Sequence, residues 1–195
     1  MRSLVPASAR SWVEVPADSH FPIQNLPFGS VMREGARRLV SRIGDLAIDL
    51  GALADAGLVP AWLSGSRDVS DLLRSEDAMA FRAVRATLAD LFESGNPRLR
   101  DDAPLRERAL FPIEADAVRL PMRPGAFVDF YSGIHHASNV GRMFRPDQPP
   151  LLPNYRHVPI GYNGRASTVF VSGTDIRRPM GQTKGANDDT PDRKS

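Results

Sequence analysis

Within VDFYSGIHHASNV, residues 128 to 140, an acid (Asp129), a phenol (Tyr131) and two adjacent imidazoles (His135 and His136) lie close together. The chain has four histidines, so half of them sit in this stretch. Asp129 and Tyr131 are two residues apart and on a strand would share one face. His136 follows seven residues after Asp129, across a Ser-Gly turn. If HHASNV opens a helix, its N-terminus delivers an imidazole and free backbone N–H groups to the end of that strand. Such a junction suits a general base beside a metal-bound or anionic substrate. Arg145 and Tyr162, the latter flanked by Gly161 and Gly164, would add a cation and a phenol for substrate oxygens. The same residue types also have a structural reading. An Asp ahead of a turn serves as a cap, a Tyr half-fills a core, and two histidines without carboxylate spacing match no zinc pattern. Spacing alone leaves both readings open.

The elements that must position these residues differ along the chain. RRLVSRIGDLAIDL (37 to 50) holds two β-prone runs around Gly44-Asp45, which predicts a hairpin. LADAGLVPAWL reads as a short helix ended near Gly57 and Pro60. From Ser75 to Ser94 the pattern is helical: Phe81, Val84, Leu88, Leu91 and Phe92 recur at spacings of three and four and make one apolar face. Ser75 is the predicted N-cap, with Glu76 and Asp77 at the positive end of the helix dipole, and SGNP is the stop. LPMRPGAF (120 to 127) marks a boundary or sharp turn. Beyond it the pattern predicts short strands, best of all ASTVFVSGT (166 to 174) between Gly164 and Gly173. The final stretch, GQTKGANDDTPDRKS, has a single alanine as its apolar content and is expected to be disordered or partner-dependent.

Composition narrows the chemistry. At 195 residues the chain can hold one domain and part of a second, and 42% hydrophobic with 25% charged residues is the balance of a soluble globular protein. No apolar run is long enough to span a bilayer, and MRSLVPASARSWVEV has no continuous apolar core of a secretory leader. The absence of cysteine removes disulfides, thiolate catalysis and thiolate metal ligation together, so any metal must be held by oxygen or imidazole. These features accord with a cytoplasmic location. Lys and Arg total 25 against 23 Asp and Glu, and acids lie close to both RRLVSR and DIRRP. That is a solvated surface rather than a nucleic-acid footprint.

DFYSGIHHASNVGRMFR (129 to 145), followed by LLPNYRHVPIGYNGRASTVFVSGTDIRRPMGQ (151 to 182), resembles the fumarylacetoacetase family. Upstream, DSHFPIQNLPFG (18 to 29) and RIGDLAIDL (42 to 50) resemble that family's amino-terminal domain. The resemblance runs from about Trp12 to Lys184, and the ordered set D-F-Y, H-A-x-N-V-G, G-Y-x-G-R-A-S and R-R-P-M-G-Q is specific. It implies an α+β, mainly β fold. An SH3-like small barrel with helices would occupy residues 1–120, the start of a mixed β-roll catalytic domain residues 121–184, and a polar tail residues 185–195. It also implies a role in tyrosine and phenylalanine catabolism: metal-dependent hydrolytic carbon–carbon cleavage of fumarylacetoacetate to fumarate and acetoacetate.

Residue by residue, the resemblance makes Asp129 a ligand of a divalent calcium or magnesium ion. It makes Tyr131 a substrate-binding tyrosine and His136 the histidine that activates water. Arg145 and Tyr162 become holders of the substrate's carboxylate and carbonyl oxygens. A hard cation prefers oxygen ligands and can polarise a β-diketone, and an imidazole can take a proton from water. His135 and the preceding Ser-Gly-Ile depart from the commoner family wording, and Asn163 stands where the family usually has a second histidine. His135 reads as a solvated or capping residue, and His20 and His157 as structural. The family's other carboxylate ligands, the acid that orients the base, and a lysine and glutamine that stabilise oxyanions lie later than R-R-P-M-G-Q. Asp188, Asp189 and Asp192 sit in a polar tail with no scaffold to replace them. The expectation is therefore a truncated chain, or one piece needing a complementary chain or a homodimer partner, with exposed strand edges. The competing reading is a non-catalytic interaction or regulatory fragment that partners a full-length homologue. A related acylpyruvate-type hydrolase is disfavoured by the match around Tyr162.

Overall fold

The computed structural model describes residues 5–73 and 79–194. A hairpin opens the sheet. Strand β1 (Phe28–Arg33) pairs with β2 (Ala36–Ile43) in antiparallel register, Arg33 opposite Ala36. Its two-residue turn places both Glu34 (φ 51°) and Gly35 (φ 75°) in the left-handed region, the backbone twist that suits tight hairpins. The hairpin predicted around Gly44-Asp45 follows: β2 pairs with β3 (Leu46–Asp49), Ile43 opposite Leu46, and Gly44 turns the chain at φ 53°.

Asp49 then caps α1 (Leu50–Asp55), its carboxylate accepting from the Ala52 N–H at 3.0 Å. The helix ends where the sequence predicts. Leu58 N–H donates to Leu53 and Gly57 N–H to Ala54, closing a Schellman-type end around left-handed Gly57. Short α2 (Val69–Leu73) precedes α3 (Ala80–Phe92), which buries Val84, Leu88, Leu91 and Phe92 and leaves Phe81 half-buried. The predicted cap at Ser75 and the acids Glu76 and Asp77 fall outside the described residues. SGNP does stop α3: Asn96 accepts from Arg98 N–H and starts α4 (Pro97–Arg100), followed by α5 (Ala103–Ala109).

Two further strands complete the sheet: β4 (Leu110–Pro112) beside β3, and β5 (Val118–Arg119) beside β1. The order is β4-β3-β2-β1-β5, all antiparallel. One face carries Leu39, Ile43 and Ile48 into a core shared with α1, α3 and α5, while Val31, Val40 and Ala47 form a smaller cluster opposite. Trp12 stacks on Phe92 at 5.2 Å and donates its indole N–H to Leu91, so the leading segment belongs to this core.

Three expectations need correction. The sheet is open rather than a closed barrel, because β4 and β5 are edges that do not pair with each other. The fold is mixed α+β rather than mainly β; among the described residues, those in helices outnumber those in strands. The run 166–174 is no strand: a 3-10 turn at Ala166–Thr168 leads into irregular chain, with Phe170 exposed. β-branched residues favour a pleated, half-buried surface, and here no neighbouring strand supplies one.

From Arg123 onward the chain carries little core; among the described residues there, only Ala137 and Gly141 are buried. The elements are β6 (Val128–Asp129), α6 (Ile134–Phe144), β7 (Tyr162–Asn163), β8 (Gly181–Thr183) and β9 (Asp192–Lys194). β6 pairs antiparallel with β7. Where a disordered tail is expected, β8 and β9 pair across a polar connection, and residues 181–192 are exposed throughout. No helix among the described residues is long and apolar enough to cross a membrane.

Candidate functional site

The β6–β7 pair sets Asp129 directly opposite Tyr162. Across that rung the Tyr162 hydroxyl donates to Asp129 Oδ2 at 2.8 Å, while the Tyr131 backbone N–H donates to Asp129 Oδ1 at 2.6 Å. Both oxygens of one carboxylate are thereby engaged. Hydrogen bonds to the ionised form favour it. The Tyr131 N–H, then the Tyr162 hydroxyl, and to a lesser degree the nearby His136 hold the Asp129 carboxyl below its ordinary value, against a smaller opposing effect of desolvation. Tyr162 moves the other way: by donating to Asp129 its phenol is raised above the usual range.

Strand β6 ends at Asp129, and the expected shared strand face does not extend to Tyr131. Tyr131 takes φ 49°, a left-handed conformation that few non-glycine residues adopt. That twist brings its ring edge-on to His136, centroids 5.7 Å apart at 78°. The condition set on HHASNV is met: a helix, α6, opens there in a region otherwise read as short strands, with Gly133 at its N-cap and both His135 and His136 exposed in its first turn. Gly133 gives no side-chain cap, so the helix N–H groups stay unclaimed by a capping oxygen.

Arg145 stands at the far end of α6 as its C-cap, where its guanidinium donates to the Pro150 carbonyl at 3.1 Å. Its Nε is buried without a partner. The structure thus brings Asp129, Tyr131, His136 and Tyr162 together and places Arg145 along the same helix rather than in contact with them. Gly141 explains why the chain after α6 can fold back. A methyl there would overlap the backbone of Pro150, so only glycine admits this approach. Tyr155, absent from the sequence-based site, reaches the Tyr131 carbonyl with its hydroxyl at 2.8 Å. Its signal was one aromatic between Pro153 and Pro159, which no local pattern distinguishes from packing.

Asn163 lies exposed on β7 opposite Val128, and His20 and His157 are exposed away from these contacts. A calcium or magnesium ion takes six or more oxygens. Asp129 offers one carboxylate with both oxygens already bonded, and no group of three His, Asp or Glu converges among the described residues. These residues do not by themselves fit a divalent cation. Two cavities lie elsewhere: one of about 440 Å³ beside Arg38 and Asp49, another of about 710 Å³ beside Ile23 and Arg85, neither lined by a predicted site residue.

A family model described as Fumarylacetoacetase N-terminal matches residues 24–121. The chain is 42% identical over 192 residues to a fumarylacetoacetase of Oryza sativa subsp. japonica, covering 93% of this chain and 45% of that one. It is 43% identical over 188 residues to the fumarylacetoacetase of Mus musculus, with the same coverage of 93% and 45%. To that of Homo sapiens it is 41% identical over 181 residues, 89% of this chain and 43% of the relative. The chain spans about half the length of the curated relatives it matches. These alignments extend past residue 121 and include the stretch that carries Asp129, His136 and Tyr162.

Proposed function

The chain belongs to the fumarylacetoacetase N-terminal family, and from that premise we propose that it carries half of a hydrolytic site for a β-diketone of the fumarylacetoacetate type. The observation that carries the reading is the cluster in which one carboxylate joins two tyrosines beside an exposed imidazole at a helix start.

In this reading His136 takes a proton from water, whose oxygen adds to the carbonyl carbon. The carbon–carbon bond then breaks, its electron pair leaves on the acetoacetate side as an enolate, and a proton returned to that carbon completes fumarate plus acetoacetate. Tyr131 and Tyr162 orient the substrate's oxygens, and Arg145 meets its carboxylate once its guanidinium leaves Pro150. Asp129 would serve a calcium or magnesium ion only with further carboxylates from another polypeptide segment. The short β6–β7 pair fits the opening of a larger β-roll whose other strands would cover its edges, while the open five-stranded sheet would be the part that answers to the family's small barrel.

A second reading, an interaction fragment, is favoured by a different observation: Phe130, Met143, Phe144, Phe170, Ile176 and Met180 are all exposed. Exposed apolar side chains of this kind are what a partner's surface would cover. Its partner would be a full-length homologue, a complementary chain or a second copy.

One assay separates the two. The purified chain, with added magnesium or calcium, is tested for loss of fumarylacetoacetate absorbance beside His136→Ala, alone and mixed with a full-length relative made inactive at its own matching histidine. Turnover that falls about 100-fold or more in His136→Ala supports the hydrolytic reading. Co-purification with the relative and no turnover in any mixture supports the interaction reading.

A further inference from the structure

Tyr155 sits in the 3-10 turn Pro153–Arg156, which is closed on itself: Tyr155 N–H donates to Leu152, and His157 and Val158 N–H to Asn154. The turn is also anchored to α6 one step earlier, where Pro150 packs on Gly141 and accepts from Arg145. From this fixed base the Tyr155 hydroxyl donates to the Tyr131 carbonyl at 2.8 Å, and its ring meets the Tyr131 ring edge-on, 6.2 Å away at 89°.

Tyr131 needs such support. It is one of three non-glycine residues with positive φ among those described, and the other two, Glu34 and Arg165, are exposed with Gly35 or Gly164 next to them. Its N–H is held by Asp129 on one side and its carbonyl by Tyr155 on the other. Both bonds fix the peptide units that flank an unfavourable dihedral, and structure that over-determines a strained residue is what keeps it there. The ring that this twist aims is the one lying against His136.

We propose that Tyr155 is a positioning residue: bonded to the Tyr131 carbonyl and packed on the Tyr131 ring, it holds Tyr131 in the left-handed conformation that sets its ring against His136. The inference rests on reading Tyr131 and His136 as site residues, and its test is independent of turnover.

The experiment is NMR of the full 195-residue chain as wild type, Tyr155→Phe, Tyr131→Ala and the double variant. The expected result is loss of the ring-to-ring nuclear Overhauser contact between Tyr131 and His136 in Tyr155→Phe. The His136 ring resonances move to the positions they hold in Tyr131→Ala, and adding Tyr155→Phe to Tyr131→Ala moves them no further. Three results overturn the proposal. The ring contact could survive in Tyr155→Phe, or His136 could shift as much in the Tyr131→Ala background. Or the amide signals of α6 could collapse together, which would make Tyr155 a general support of the helix. No turnover alone or in any mixture with the full-length relative, together with the expected spectra, removes the hydrolytic reading and leaves Tyr155's role standing; turnover with unchanged spectra does the reverse.

Discussion

Asp129 concentrates the chemistry of this region in one side chain, because its two oxygens tie a turn to a strand pair. The Tyr131 N–H fixes the turn and the Tyr162 hydroxyl fixes the rung between β6 and β7. Both bonds are made to the ionised carboxylate, so the folded pKa lies below the unfolded one. The stabilisation is therefore complete above the unfolded carboxylate value, about 4, and is lost as pH falls through the lower folded value. Tyr162→Phe removes one of the two bonds and keeps the ring. Its expected effect is a rise in the Asp129 titration midpoint. Carboxyl carbon NMR across pH 2 to 7, a window set around the ordinary Asp value, checks this, and an unmoved Asp129 midpoint would refute it. His136, by contrast, was legible by residue type alone; its place in the first turn of a helix was one of two readings that spacing left open.

At the scale of elements, α6 is held by contacts that no helical periodicity announces. Only Ala137 and Gly141 are buried along it, and Gly141 receives the Pro150 backbone directly. Two opposed effects make Gly141→Ala informative. Alanine raises intrinsic helix stability by about 1 kcal/mol, whereas forcing a methyl into a filled contact costs roughly 1–3 kcal/mol. The overlap is with backbone, which cannot swing aside as a flexible side chain would, so the second effect wins. The variant is expected to lose the α6-to-Pro150 contacts in NMR spectra while the signals of the five-stranded sheet stay in place. Retained contacts with a more stable helix would show that the loop yields. The hairpin at Gly44-Asp45, the end of α1 and the stop after α3 were readable in advance because a turn or a cap is written in adjacent residues. The strand expected at 166–174 failed for the complementary reason: a strand needs a partner, and partnership is not a local property.

Across the whole molecule, the buried apolar side chains are divided very unevenly. Leu39, Ile43, Ile48, Leu88 and Phe92 are fully buried, whereas Phe130, Phe144, Phe170 and Ile176 are more than half exposed. Local opening free energy follows burial and hydrogen bonding, so amide exchange should divide the chain in the same place. The amides of Leu39, Ile43, Ile48 and Leu88 are expected to outlast those of Phe130, Phe170 and Ile176 by several orders of magnitude. Hydrogen exchange read by mass spectrometry checks the gradient. Equal protection on both sides of residue 123 would mean that the exposed apolar residues are covered in solution. The isolated chain and the mixture with a full-length relative, measured side by side, then tell whether a partner supplies that cover.

Adjacent residues were enough to read the Gly44 turn, the apolar face of α3, the exclusion of thiolate chemistry, and the motifs that mark the family. The tertiary structure alone decided that Tyr162 reaches Asp129 across 33 positions and Tyr155 reaches Tyr131 across 24. It also decided that the sheet stays open at β4 and β5. Periodicity and capping act over one or two turns of chain. Contacts between distant residues depend on how packed elements are brought together, and a left-handed tyrosine persists only because those distant contacts hold it.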